Sequence, residues 1–388
     1  MYMPIVSEGA SCSAGQPILF SGVSVYLEQA SAAFRALPLW ADSVLAARPL
    51  LGFAGQFAGR TRPEDVGELT VSMLAGAEGN QTREIDRLVR WLSDRPRADV
   101  IVLSNSLLVG LAAPLQDALG VPVVCTVQGE AHFVRAMGEP WTSQAWEWLA
   151  KGLRACAGRV AVSRFAAEDL AAEIGLSPDD FEVAHNGIDL DGYGPPEPTE
   201  PAVVGFFARM YARKGVGTLA DAFALLREEG RDVRLRFGGT LNAGDEPDVR
   251  SVMAQLQRAG LGDHVEMRAD LSPEDKRAFL RDLTVFCVPT AKDDTFGLYN
   301  LEAMAAGVPV VAPRRGALPE VLEATEAVTW CAPDDPVDTA RAIASLLDAP
   351  TRRQALASRG REAVHRDFGE PQLAQRYLAA VERILEAP

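Results

Sequence analysis

The chain has 388 residues, about two to three domains' worth at roughly 150 residues each. Its 48% hydrophobic and 23% charged residues describe a globular protein with apolar surface for two cores, which excludes a single small module and a disordered or fibrous chain. The net charge of −15 comes from 14 basic against 22 acidic residues up to residue 190 and 24 against 31 beyond it, so neither half offers the basic surface that nucleic acid or anionic lipid would need.

No basic stretch followed by an apolar run opens the chain, and no apolar run reaches about 18 residues, so neither a secretion signal nor a membrane span is expected. The segment Phe34 to Phe57 is amphipathic; in an acidic chain it reads as paired helices rather than as a membrane-surface element, although peripheral membrane contact stays open. Strands are predicted at Val100 to Leu103, Val121 to Val127 and Val160 to Val162, with helices over Thr82 to Ser93 and Ser163 to Glu173. Trp141, Trp146 and Trp148 with Phe133 form an aromatic cluster suited to a core or a cleft wall. The segment Gly192 to Pro201 carries four prolines, which exclude it from helix interiors and strand ladders. It divides the chain into residues 1–190, a linker at 191–202, and a second domain at 203–370.

There the alternation restarts: Val203 to Phe207, a helix from Thr218 to Glu229, Val233 to Phe237, a helix from Pro247 to Arg258, then Val265 to Arg268, Val285 to Val288 and Val308 to Ala312. That is a second doubly wound α/β unit. Residues 371–388 form an amphipathic helix with Leu373, Tyr377, Leu378, Val381 and Leu385 on one face, expected to pack back on the first domain. The five cysteines (Cys12, Cys125, Cys156, Cys287, Cys331) never stand in C-x-x-C spacing, so neither a disulfide framework nor a thiolate zinc site is expected, and a reducing cytoplasm fits. Only Lys151, Lys214, Lys276 and Lys292 are lysines among 38 basic residues, which draws attention to each.

Several motifs fail on their surroundings. Gly215, Gly217 and Ala220 spell G-x-G-x-x-A, yet the preceding strand ends several residues too early and the next strand closes on Gly238-Gly239 without a ribose-binding carboxylate. His365 to Gly369 compresses two kinase motifs onto one shared Asp367, whereas a kinase needs them on separate loops. No G-K-S/T phosphate loop, no G-x-S-x-G elbow and no histidine pair at i, i+4 occurs.

What remains is Asp294 to Glu302, two carboxylates eight positions apart, with Gly297 opening a helix that Gly307 closes. Eight helical steps span about 12 Å, a spacing for gripping two ends of an extended ligand rather than for flanking one bond. Free N–H groups at the helix start suit an anion. Arg209 and Lys214, following the strand Val203 to Phe207, add two cations of the kind a diphosphate requires, although each alone would read as a solvated surface charge.

These residues together resemble the retaining glycosyltransferases of GT-B fold, glycosyltransferase family four, also called glycosyl transferases group one. The family's G-R-L-x-x-x-K-G is matched by Ala208-Arg209-Met210-Tyr211-Ala212-Arg213-Lys214-Gly215, its N-G-h-D, where h is apolar, by Asn186-Gly187-Ile188-Asp189, and its G-G-V loop by Ser21-Gly22-Val23. Its E-x7-E is matched by Asp294 to Glu302, and the following Ala303 to Val311 also keeps to the pattern. The resemblance implies two Rossmann-like domains facing a central cleft, and a transferase moving a hexose from a nucleotide-diphosphate sugar to an acceptor hydroxyl.

By that resemblance Glu302 holds the ribose hydroxyls and Asp294 the transferred sugar. Arg209 and Lys214 hold the leaving diphosphate, and Thr295, Phe296, Gly297 and Leu298 bind phosphate and sugar. Gly22, Asn186 and Arg268 complete the donor site, with base contacts near Arg268 to Leu271, and Gln128 and Glu130 lie on the acceptor side. No cofactor and no metal is implied; the acceptor is a glycan, a lipid-linked molecule or a small molecule, and the oligomeric state is left open. The chain departs from the pattern at Asp294, one methylene shorter than the usual glutamate, and at Gln128-Gly129-Glu130, where the family often has His-Gly. Met1 to Val6 also falls about where the family's first strand ends. A GT-B nucleotide-sugar epimerase and a non-catalytic nucleotide-sugar-binding protein are the rival expectations, the first separated by acceptor-dependent nucleotide release and the second by binding without turnover.

Overall fold

The computed structural model describes residues 66–195 and 200–386, together with Val25, Glu28 and Gln29. Gly22, the segment Phe34 to Phe57 and Met1 to Val6 lie outside the described residues. The chain divides into two compact units: one takes the residues up to Ala161, Ala166–Val183 and Ala380–Pro388, the other Val162–Phe165 and Ala184–Ala379.

The first unit holds helices α1 (Gly67–Leu74) and α2 (Thr82–Ser93), strand β1 (Ile101–Leu103), α3 (Ala112–Leu119), β2 (Val123–Val127), α4 (Ala131–Arg135), α5 (Trp141–Ala155), β3 (Gly158–Ala161), most of α6 (Arg164–Ile174) and β4 (Glu182–Val183). The strands run parallel in the order β1-β2-β3-β4. β2 is buried along its whole length, as a parallel strand covered by crossover helices must be, and this is why it reads as an uninterrupted apolar run. Trp141, Trp146, Trp148 and Phe133 pack against the core of this unit.

The second unit restarts with β5 (Ala202–Phe207), α7 (Val216–Glu228), β6 (Val233–Gly239), α8 (Glu246–Arg258), β7 (Val265–Ala269), α9 (Pro273–Arg281), β8 (Val285–Cys287), α10 (Leu298–Ala305), β9 (Val310–Pro313), α11 (Leu318–Leu322), β10 (Val328–Cys331), α12 (Pro336–Leu347) and α13 (Pro350–Asp367), before α14 (Glu370–Glu386). Its six parallel strands lie in the order β10-β9-β8-β5-β6-β7. The chain lays strands on one side of β5 and then returns to lay the rest on the other, so the order reverses between β5 and β8. At such a reversal the crossovers leave in opposite directions and a crevice opens beyond the strands' carboxyl ends. Phe206, Phe223, Phe237, Phe279 and Phe286 are fully buried here, each worth about 1.5–3 kcal/mol over exposure.

Two sequence expectations need correction. Beyond Val162–Phe165, the second unit takes the chain from Ala184 rather than from residue 203, so the described residues 191–195 and 200–202 of the segment read as a linker group with it. The cause is local anchoring: Ile188 N donates to Phe368 O at 2.8 Å, and Arg361 donates to the carbonyls of Gly194 (3.2 Å) and Tyr193 (3.1 Å). In α14, Val381 is buried but Leu378 and Leu385 are exposed. At 3.6 residues per turn each of these leucines sits one step, about 100°, past the packed Tyr377 and Ile384 positions. The end of α14 groups with the first unit, where Arg383 pairs with Glu182 at 2.7 Å.

Candidate active site

The crevice of the second unit is built by the loops after β5 and β8. A β-carbon on Gly215, which has φ +84° and precedes α7, would lie 2.0 Å from Pro289 O, so only glycine lets the two loops meet. They are then laced together: Ala291 N and Lys292 N both donate to Arg213 O, at 3.0 and 3.2 Å. This brings Lys214 to Asp294. The ammonium donates to Oδ1 at 2.5 Å and Oδ2 at 2.7 Å, and both side chains are nearly buried, 12% and 10% exposed. Tyr299 Oη, from the first turn of α10, donates to Asp294 Oδ2, and the Lys214 ammonium lies 4.7 Å over the Tyr299 ring. Burial, then the charge of Asp294, pushes the Tyr299 phenol well up, which keeps it a donor.

A second pair forms eight positions on. Lys276 in α9 donates from Nζ to Glu302 Oε1 at 2.8 Å, and the pair is about three-quarters or more buried. Tyr193 is buried nearby; burial and then the Glu302 charge raise its phenol pKa. Each acid thus has its own lysine, so the two carboxylates do not share one proton or one cation. Around the first pair stand further cations. Arg209 is exposed, pairs with Asp245 at 2.8 Å and lies 5.0 Å over Tyr211. Lys292 is part-buried, and burial followed by the neighbouring Lys214 lowers its pKa to about 8. Among the described residues no group of three or more His, Cys, Asp or Glu could hold a metal ion, and no helix is long and apolar enough to cross a membrane.

Comparison with known proteins decides the family. The profile described as "Glycosyl transferases group 1" matches residues 194–363, and the one described as "Glycosyltransferase Family 4" matches residues 53–191. The alpha-maltose-1-phosphate synthase of Mycolicibacterium smegmatis is 30% identical over 321 residues, 74% of this chain and 80% of its own length. The chain belongs to the group 1 glycosyltransferases. The MMP alpha-(1->4)-mannosyltransferase of Mycolicibacterium hassiacum is 29% identical over 339 residues, 83% of this chain and 79% of that protein. Among solved structures, Anabaena HepE in complex with UDP-glucose shares the GT-B fold at a TM-score of 0.64, over 85% of this chain and 98% of its own, with 17% identity.

Within this glycosyltransferase the other residues named from the sequence fall into two groups. Thr295, Phe296, Gly297 and Leu298 lead directly into α10 beside Asp294; Thr295 O accepts from Ser163 Oγ at 2.7 Å, and buried Phe296 meets His185 edge-on at 5.8 Å. Leu298 is exposed and its N–H stands at the helix start. The Asn186 to Asp189 turn is anchored by the bridge between Ile188 and Gly369.

The second group makes its ion pairs and hydrogen bonds with partners other than the two lysine–carboxylate pairs. Arg268, on edge strand β7, donates to Glu266 at 2.6 Å and is exposed. Arg209 gives its guanidinium to Asp245 rather than joining Lys214 on Asp294. Glu130 braces its own loop: its buried carboxylate accepts from the backbone amides of Ser106 (3.2 Å), Gln128 (2.9 Å) and Gly129 (3.0 Å). Burial raises its pKa and these amides only partly offset that. Gln128 contributes its amide to the same loop brace.

Sequence reasoning missed Lys276, Tyr299, Glu320 and Gly316. Gly316 (φ +56°) sits where a β-carbon would lie 2.5 Å from Asp294 O, and next to it Ala317 N donates to that oxygen at 2.8 Å. Glu320 accepts from Arg164 N (2.7 Å), Phe165 N (3.1 Å) and His185 Nε2 (2.9 Å). The rarity of lysine was the one available signal, and three of the four lysines do gather at this crevice.

Proposed function

We propose that this glycosyltransferase takes its sugar from a nucleoside-diphosphate sugar held at the β5/β8 crevice, and passes it to an acceptor hydroxyl with retention of configuration and without a metal ion. The observation that carries the reading is the pair of separate lysine–carboxylate contacts, Lys214 with Asp294 and Lys276 with Glu302. Two fixed carboxylates at distinct positions suit the hydroxyls at the two ends of such a donor, ribose at Glu302 and transferred sugar at Asp294. Between them, Lys214, Arg209 and the amides opening α10 meet a charged middle.

Breaking the sugar–phosphate bond places charge on the leaving oxygen. Cations and N–H groups already in position stabilise that charge without reorganising, which is where most of the barrier reduction comes from. Acceptor attack on the face that the phosphate leaves lets the departing phosphate take the acceptor's proton, and no protein nucleophile is then needed. The acceptor is a glycan, a lipid-linked or a small molecule, and a cytoplasmic setting suits a soluble donor.

Thermal-shift screening of UDP-, GDP- and ADP-sugars in EDTA tests the reading, because a donor at 100 times its Kd stabilises by about 2.7 kcal/mol. The UDP-glucose bound to Anabaena HepE makes UDP-sugars the first to try. Absence of a shift with all three, or turnover that needs magnesium or manganese, overturns the corresponding part. The anomeric configuration of the product, read by NMR, decides retention.

A further inference from the structure

Lys292 lies in the loop after β8 with its backbone held on three sides. Its N–H donates to Arg213 O (3.2 Å) and Thr290 Oγ1 (3.1 Å), and its carbonyl accepts from Thr290 Oγ1 at 2.9 Å. Its ammonium, by contrast, makes no hydrogen bond or ion pair among the described residues. The charges facing it are Lys214, Asp294, Arg213 and Arg209, in decreasing influence, three cations against one acid. That acid is committed to Lys214, neighbouring Asp293 pairs with Arg315 at 3.1 Å, and Asp245 pairs with Arg209. Tyr211 and Tyr299, whose phenols burial pushes up, remain neutral and cannot compensate it. A part-buried cation held among other cations by its own rigid loop is disfavoured until an anion arrives.

We propose that Lys292 is a further ligand to the donor's diphosphate, completing the set of cations on the leaving group. The proposal rests on the nucleotide-sugar reading above and assigns a residue that neither the motifs nor Lys214 and Arg209 account for. Its consequence is a proton linkage. Burial, then the neighbouring Lys214, brings the pKa of the free ammonium down to about 8. A bound diphosphate stabilises the charged form, so binding at alkaline pH draws a proton from buffer onto Nζ.

Calorimetry of the full chain with UDP, GDP and ADP, in two buffers of different ionisation enthalpy at pH 8.5, measures this uptake when the β-phosphate is already fully ionised. Wild type should take up a substantial fraction of a proton. Lys292→Arg should bind within a few-fold of wild type and take up none; Lys292→Met should bind at least tenfold more weakly at pH 7, with the free protein melting no lower than wild type. Wild-type affinity in Lys292→Met, or undiminished uptake in Lys292→Arg, overturns the assignment while leaving the donor reading intact. If none of the three diphosphates binds wild type, the donor reading fails and takes this one with it.

Discussion

Replacing Lys214 by methionine keeps the stem and deletes the ammonium, leaving Asp294 with the Tyr299 hydroxyl as its remaining side-chain donor. Because both partners are nearly buried, the loss is set by the carboxylate stranded in a low dielectric, about 3–5 kcal/mol for removal of one partner. At about 2–4 °C per kcal/mol this lowers the melting temperature by roughly 6–20 °C. Turnover falls separately by about 10²–10³, the usual cost of one preorganised group on a developing negative charge. The double variant Lys214→Met/Asp294→Asn separates the two effects, since removing both charges removes the stranding. Thermal unfolding should recover most of the lost stability, while nucleotide release from the donor stays at or below the single-variant rate. A double variant as unstable as Lys214→Met refutes the stranded-charge account; activity returning along with stability refutes the catalytic one.

Lys276→Met should raise the Kd of the free nucleoside diphosphate several-fold by releasing Glu302 from its fixed orientation, with kcat at saturation little changed; calorimetry beside steady-state kinetics reads the split, and a kcat loss at constant Kd contradicts it. Gly316→Ala places a β-carbon against the Asp294 backbone at a left-handed φ, so turnover should drop more than tenfold while the far-ultraviolet circular dichroism is unchanged. Glu320 is pushed up by burial, but the bonds from His185, Arg164 N and Phe165 N outweigh this and hold its pKa below the ordinary range. Its folded pKa being depressed, its stabilising contribution is present above about pH 4.3 and fades as the pH falls through the lower folded value. Glu320→Gln should therefore lower the urea midpoint most at pH 7, with the gap to wild type closing in acid; a gap that widens in acid contradicts the assignment.

The sequence alone marked the central strands of both units, because strands buried on both faces of a parallel sheet must be continuous apolar runs: β2, β5, β8 and β9 were all visible as such, whereas the edge strands β4 and β10 were not. It also marked Asp294, Glu302, Arg209 and Lys214, since charges at fixed offsets from a strand end or a helix-opening glycine have few structural reasons to be there. What each of them touches was decided only by tertiary structure. Lys276 lies 26 positions before Glu302 with no local period linking them, and meets it because α9 packs beside α10. Arg209 found Asp245 in the loop after β6, and Glu130 found backbone amides of its own loop. The supposed linker was claimed by Arg361, more than 160 positions away. Periodicity records which face of an element is buried, a one-dimensional property. The strength of an ion pair depends on separation and local dielectric, and neither exists until strand order has chosen which loops stand side by side.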